Sequence, residues 1–211
     1  MKEEILNALK WRYSVRSFDT EKKVSEEDLR TVLEGGRLAP SSFGLEPWKF
    51  LVVENRDIRE RLQEVGYGQE KISKSSHLIV IASRTDVRAN LVGEHMNRIA
   101  RTTGASESDL AGLRGMIEGK ISSMSDGDLK AWIAAQAYIS LGMMLETAAL
   151  LGIDAAPMEG FVPEKFDEIL GLGEKNLTTT VIFSLGFRGE DPAANQPKVR
   201  KSLEEAVEFV K

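Results

Sequence analysis

Short runs of apolar and β-branched residues occur at three places in the chain and predict strands. Residues 48–53 and 77–82 are the first two runs. The second carries four consecutive apolar residues, which predicts burial on both faces of a sheet. Residues 177–187 form a longer run that is rich in Thr and Val. The wide spacing of these runs leaves room for helices between them.

Helical periodicity fills much of the sequence between the strands. An amphipathic pattern at residues 5–11 predicts a short first helix. Ser25 opens a sequence of the capping-box type, which predicts the start of a second helix. The longest helix is predicted over residues 128–151 and is apolar on nearly all sides from Ala131 onward. A helix of this kind belongs in a core or an interface.

Two further segments have patterns of their own. Residues 87–124 are polar and rich in Gly and Ser, with interrupted helical periodicity. Residues 189–196 are extended and unfavourable for a helix, and residues 202–210 resume an amphipathic pattern. Because no linker interrupts the alternation of helices and strands, we predict a single domain over residues 1–211 with an α+β sandwich fold.

Composition and charge are those of an ordinary soluble domain. The 211 residues have a net charge of −5 and include no cysteine, so broad nucleic-acid binding, disulfides and thiolate chemistry are not expected. His77 and His95 lack acidic residues at ligand spacing, so no metal site is predicted. The N-terminus lacks the apolar core of a signal peptide, and no apolar run approaches the roughly 20 residues of a membrane span. We therefore expect a cytoplasmic protein that does not bind membranes.

Four short motifs carry the candidate chemistry. Two are cationic and lie at opposite ends of the chain, at residues 12–18 (RYSVRSF) and 197–200 (PKVR). Arg and Lys are positive donors suited to phosphate. Residues 39–48 (APSSFGLEPW) offer hydroxyls and a close backbone approach, and residues 157–161 (PMEGF) form the fourth motif. Charge and shape alone predict only a site for a phosphorylated small molecule.

In this order, the four motifs resemble those of the FMN-dependent nitroreductase family, and the similarity extends from Arg12 to Arg200. The resemblance implies a central mixed, mainly antiparallel sheet flanked by helices. It also implies a homodimer in which a C-terminal extension, residues 189–211, crosses onto the partner subunit. Residues 87–124 match the family least, so they are expected to form a variable helical cover over the substrate pocket.

The resemblance also implies the positions that bind FMN. These are Arg12, Tyr13, Ser14, Arg16, Pro40, Ser41, Ser42, Gly44, Gln69, Lys71, Pro157, Met158, Glu159, Gly160, Lys198 and Arg200. The cationic chain ends are expected at the phosphate and ribityl chain, with Arg16 and Lys71 beside the flavin. Residues 40–44 are expected to reach the flavin of the partner subunit. Residues 158–160 are expected against the isoalloxazine, with a main-chain donor facing the reactive flavin nitrogen.

Two positions depart from the family pattern. Glu46 stands where many relatives have Gln, and Gly68 stands where a flavin-contacting Asn is common. Gln69, next to Gly68, is the expected substitute for that Asn. The residues expected to contact the substrate are Phe43, Tyr67, Met116 and Ile117.

The activity implied by the resemblance is transfer of hydride from NADH or NADPH, through bound FMN, to nitroaromatics, quinones or related small-molecule acceptors. Residues 66–68 and 171–173 lack the third glycine of a dinucleotide fingerprint. The nicotinamide is therefore expected to dock directly over the flavin and to leave before the oxidant enters, in a ping-pong mechanism. Because the flavin performs the redox step, no catalytic side chain is predicted. Enone reduction, dehalogenation, flavin reduction and a non-catalytic flavin-binding role are the alternatives.

Overall fold

The computed structural model describes residues 1–211 and contains nine α-helices and four strands. In chain order they are α1 (Lys2–Trp11), α2 (Glu26–Arg37), β1 (Trp48–Val53), α3 (Arg56–Val65), α4 (Lys71–Lys74), β2 (His77–Arg84), α5 (Val92–Thr103), α6 (Glu107–Ser122), α7 (Asp126–Leu150), β3 (Asp154–Met158), α8 (Pro163–Leu170), β4 (Leu177–Gly186) and α9 (Leu203–Ala206).

The four strands form one sheet in the order β1-β2-β4-β3, and each neighbouring pair is antiparallel. The register pairs Leu51 with Val80 and Val80 with Ile182, so β2 lies between β1 and β4. The one parallel contact is an isolated bridge between Ser14 and Ala155. The predicted α+β fold is confirmed, and within one chain the sheet itself is antiparallel rather than mixed.

Strand β2 explains why the core has two layers. Its side chains alternate between the faces of the sheet, so Ile79 and Ile81 pack with residues of α2 and α7. Leu78 and Val80 point to the opposite face and pack with residues of α3 and α8, including Phe166. All four β2 side chains are completely buried. The prediction of a strand buried on both faces is confirmed.

The long helix α7 begins after Ser125, whose hydroxyl accepts a hydrogen bond from the main-chain N–H of Asp128. By length and composition α7 is apolar enough to cross a membrane. Its position accounts for that composition in another way, because Ala137, Met144 and Ala148 are completely buried in the core between α2 and the sheet. It is the central helix of the fold.

Residues 87–124 are mostly helical, and their role as a cover over the substrate pocket stays a prediction. They form a π-helical turn (Val87–Leu91) followed by α5 and α6. Helix α6 starts at a complete capping box between Ser106 and Asp109. Its apolar side chains pack in a third cluster that also contains Leu45.

The C-terminal segment lies apart from the core. A short turn (Pro192–Asn195) follows the sheet, and every residue from 199 to 211 is exposed. The amphipathic pattern at 202–210 forms only the single turn α9, because so short a helix is marginal without tertiary packing. Crossing of this segment onto a partner subunit stays a prediction.

Candidate functional site

The segment that follows α1 is held beside β3. Ser14 makes its parallel bridge to Ala155, and Phe18 makes an antiparallel bridge to Arg188. Asp191 fixes the segment from the other side, since its carboxylate accepts from the Tyr13 hydroxyl at 3.0 Å and from the main-chain N–H of Arg16 at 2.8 Å. The cationic N-terminal motif therefore runs along the strand that leads to residues 158–160.

A nearly buried ion pair supports this arrangement. Asp154, 3% exposed, accepts from the Arg188 guanidinium at 2.5 Å and from its main-chain N–H at 2.8 Å. The same guanidinium lies 4.2 Å from the ring centroid of Trp11 and 4.8 Å from that of Tyr13. The start of β3, the end of β4 and the end of α1 are thereby joined at one point.

Three cations from the two chain ends lie close together. Burial and the charge of Arg200 lower the pKa of Arg12, and burial followed by the charges of Arg12 and Arg200 lowers the pKa of Lys198. None of the three forms an ion pair with a carboxylate. The Arg12 guanidinium donates to no group of the chain. Mutual repulsion without a counter-charge is the electrostatic signature of an anion site.

Lys198 has an additional role that the sequence did not indicate. Its ammonium group donates to the carbonyls of Leu9, Lys10 and Arg12 at the end of α1. These are unpaired carbonyls of a helix C-terminus, where a cation is favourable. In this arrangement Lys198 contributes charge to the cluster, while Arg12 and Arg200 hold the available donors.

A second pair of cations lies further along the same segment. Burial, and then the charge of Arg16, lowers the pKa of Lys71. Neither residue forms an ion pair. The main-chain carbonyl of Lys71 accepts from the Ser184 hydroxyl at 2.6 Å, which anchors the start of α4 to the central strand β4. Arg16 and Lys71 thus lie near enough to repel each other, and their place beside the flavin stays a prediction.

The turn after β3 presents unused donors. Glu159 and Gly160 are exposed residues, and their main-chain N–H groups donate to no other group of the chain. The turn is held by its other atoms, since the Gly160 carbonyl accepts from the Gln69 amide at 2.6 Å and the Glu159 carboxylate accepts from the Tyr138 hydroxyl at 2.6 Å. Tyr67, 71% exposed, lies beside Gly160.

The loop at residues 40–46 is not hydrogen-bonded to the cations and main-chain donors along β3. The Ser41 hydroxyl accepts from the main-chain N–H of Glu46, and the main-chain N–H of Ser42 donates to Gln136 on α7. Phe43 and Gly44 both have positive φ, 57° and 68°, and the Phe43 side chain is exposed. These hydrogen bonds tie the loop to itself and to α7, and none reaches the segments along β3.

The sequence model of the Nitroreductase family matches residues 9–187. The chain belongs to the nitroreductase family. It is 38% identical to a Staphylococcus haemolyticus protein whose name assigns it to the NAD(P)H nitroreductases, over 100% of this chain and 99% of the relative. Members of this family are oxidoreductases, so the enzyme class predicted from the motifs is confirmed.

Solved structures confirm the nitroreductase fold. A protein of Exiguobacterium sibiricum, described as a nitroreductase in complex with FMN, matches with a TM-score of 0.81 at 22% identity, covering 98% of this chain and 97% of that one. A gut-bacterial enone reductase of fatty acid saturation matches with a TM-score of 0.83 at 20% identity, covering 98% of both chains.

The predicted substrate contacts of the nitroreductase differ in their accessibility. Tyr67 and Phe43 are exposed, and so is Met116 at 62%. Ile117 is completely buried in the cluster that joins α5, α6 and α7, because it faces inward on α6. Of these two residues on α6, Met116 is accessible to a ligand, whereas Ile117 packs inside the helical segment 87–124.

Sequence reasoning missed the residues that hold the site together. Asp191, Arg188 and Tyr138 lie in segments without a motif, and each acts on a partner far along the chain. Gln136 carried a weak sequence signal for a role in the site, since it is the one side-chain amide in an apolar helix. In the structure it is buried. A buried amide requires a hydrogen-bond partner, which here is the loop at residues 40–46.

Proposed function

We propose that this nitroreductase is a homodimeric, FMN-dependent oxidoreductase that passes hydride from NADH or NADPH to nitroaromatics, quinones or related acceptors. The observation that carries the proposal is the set of unpaired cations and unused main-chain donors collected along β3. Such a set suits a ligand with a phosphate at one end and hydrogen-bond acceptors at the other. FMN has this form, and it accompanies the same fold in the Exiguobacterium protein.

The residues along β3 suit the successive parts of FMN, from its phosphate to its ring. Arg12 and Arg200 would hold the phosphate, with Lys198 adding charge from the end of α1. Ser14 and Arg16 lie next along the segment, at the place for the ribityl chain. Further on, Lys71 is a partly buried cation that forms no ion pair, suited to the pyrimidine edge of the flavin, where negative charge develops on reduction. The free main-chain N–H groups of Glu159 and Gly160 would be the donors to the flavin ring.

Bound FMN supplies reversible acceptance and donation of hydride. The chain's own residues bind it and set its electrostatics. Arg16 and Lys71 favour negative charge on the ring side of the site, because both are cations and neither forms an ion pair. Since residues 66–68 and 171–173 lack a dinucleotide-binding fingerprint, we propose that nicotinamide and oxidant use the same open face in turn, in a ping-pong mechanism.

The surface of α7 supports the proposed homodimer. Ile139, Met143 and Leu150 are exposed at 42%, 37% and 50%, and their spacing places them along one side of the helix. Leu6 and Leu9 are exposed on α1, which packs on α7. Obligate dimers cover apolar areas of roughly 2,000 Å² or more. A partner would also bring residues 40–44, whose hydrogen bonds in their own chain do not reach the site, to the second site.

The first experiment tests FMN binding and turnover. Purified protein is titrated with FMN, then reduced without oxygen by NADH or by NADPH, and then mixed in turn with a nitroaromatic, a quinone and an enone. We expect FMN binding, rapid bleaching by one or both nicotinamides, and reoxidation by the nitroaromatic or the quinone. Flavin that stays oxidised with both nicotinamides would contradict an enzymatic role, and reoxidation by the enone alone would favour enone reduction.

The second experiment tests the dimer. Sedimentation should show one dimeric species at micromolar concentration. Ile139→Glu should raise the dimer dissociation constant and release FMN together with dissociation, whereas Lys130→Glu, an exposed charge reversal on the same helix, should do neither. A stable monomer that keeps FMN and full activity would contradict the proposal. Fractionation of the source cells would test the cytoplasmic location that we also propose.

A further inference from the structure

The turn formed by Glu159 and Gly160 is clamped by one side chain on each side. From α7, the Tyr138 hydroxyl donates to the Glu159 carboxylate at 2.6 Å. From the segment before α4, the Gln69 amide donates to the Gly160 carbonyl at 2.6 Å and to the Gly66 carbonyl at 3.0 Å. The turn has only one main-chain hydrogen bond of its own, from Phe161 to the Glu159 carbonyl at 3.0 Å.

The clamp leaves the two main-chain donors of the turn free while it restrains the groups around them. Both amide protons of Gln69 are already used by carbonyls, so this side chain has only its carbonyl oxygen to offer a ligand. Gln69 therefore cannot replace a donor amide at the missing Asn position, and its donors serve the turn. Tyr138 is carried by the long helix α7, and nothing in the family motifs assigned it a role.

Resting on the FMN site proposed above, we propose that Tyr138 is a positioning residue that acts through Glu159. It holds the turn so that the free main-chain donors face the reactive flavin nitrogen, and in this way it sets the reduction potential of the flavin. Oxidised flavin offers a lone pair at that nitrogen, and fully reduced flavin carries a hydrogen there. A well-aimed donor therefore favours the oxidised form, and loosening the turn raises the potential.

The test is Tyr138→Phe, which removes one hydroxyl and keeps the ring. Thr147→Val is the control, because it removes a hydroxyl on the same helix that bonds only to the Met143 carbonyl. In the protein without flavin, we expect amide exchange at Phe161, whose N–H makes the turn's own hydrogen bond, to become roughly tenfold faster in Tyr138→Phe, the size of one hydrogen bond to a charged group. With FMN, we expect the ratio of affinities for oxidised and reduced flavin to fall roughly tenfold, which raises the two-electron potential by about 30 mV.

A double-mutant cycle shows whether Tyr138 acts through Glu159. In the Glu159→Ala background, Tyr138→Phe should change neither the exchange rate nor the potential further. An unchanged potential in Tyr138→Phe, a lowered one, or an equal shift in the Glu159→Ala background would overturn the positioning role while FMN still binds. A wild-type chain that binds no FMN would overturn the proposed function, and this proposal with it.

Discussion

Arg12 offers the most direct test of the anion site. Its guanidinium is partly buried, donates to no group of the chain and faces Arg200. Arg12→Gln removes the charge and relieves this repulsion, so the stability of the protein without flavin should stay level or rise by a few tenths of a kcal/mol. In the complex, a hydrogen bond to a charged group contributes about 1.5–3 kcal/mol. At about 1.4 kcal/mol for each factor of ten, the dissociation constant of FMN should rise roughly ten- to hundredfold.

The assay compares FMN with riboflavin, which lacks the phosphate. Titration by flavin fluorescence should show the full loss of affinity for FMN in Arg12→Gln and little change for riboflavin. Arg30→Gln is the matched control, since Arg30 carries the same charge in an exposed pair with Glu26 on α2. Equal weakening of both flavins, or no change for FMN, would refute the assignment of Arg12 to the phosphate. The double variant Lys198→Ala, Arg200→Ala should behave in the same way toward FMN and should also destabilise α1, because Lys198 caps that helix.

Three further predictions follow from other contacts. Asp154→Ala should lower the free energy of unfolding by about 3–5 kcal/mol in urea denaturation, because Arg188 is left without its nearly buried partner; a loss below about 1 kcal/mol would show that the pair is not structural. Burial, and then a hydrogen bond to a carboxylate, raises the pKa of Tyr13 and of Tyr138 to about 12, so near-ultraviolet titration should show two phenols ionising near pH 12. Because the pKa is raised in the folded state, the contribution of these phenols to stability should be complete below about pH 10 and lost between about pH 10 and 12. Met116→Ala should change the ratio of kcat/KM values for a nitroaromatic and a quinone while leaving FMN affinity alone; an unchanged ratio would make the exposed face of α6 part of the scaffold.

Local patterns were enough to predict the elements that build the core. The apolar run at 78–81, the Thr- and Val-rich run from 177 and the long apolar helix each appear where their periodicity indicated. The reason is that burial of a strand or helix face is imposed on every residue of the element, so the signal repeats along the sequence. The strand Asp154–Met158 carried a weaker signal, because it is short and contains Pro157 at an edge of the sheet.

The members of the candidate site were predicted only as separate motifs. Arg12 and Arg200 owe their proximity to the packing of both chain ends near α1. No periodicity encodes a contact between residues so far apart, and the resemblance to the family supplied it instead. The sequence by itself could not show that Lys198 caps α1 or that Ile117 faces the interior of the helical cover.

The sequence therefore determined the long central helix, the three sheet-forming runs and the family, since these depend on patterns that are written into consecutive residues. Tertiary structure alone decided which polar groups are used and which are left free. Asp191, Tyr138 and Gln69 satisfy groups from distant segments, and their hydrogen bonds leave the cations and two main-chain donors along β3 without partners. A hydrogen bond requires two groups within about 3 Å, and only the folded chain brings these residues that close.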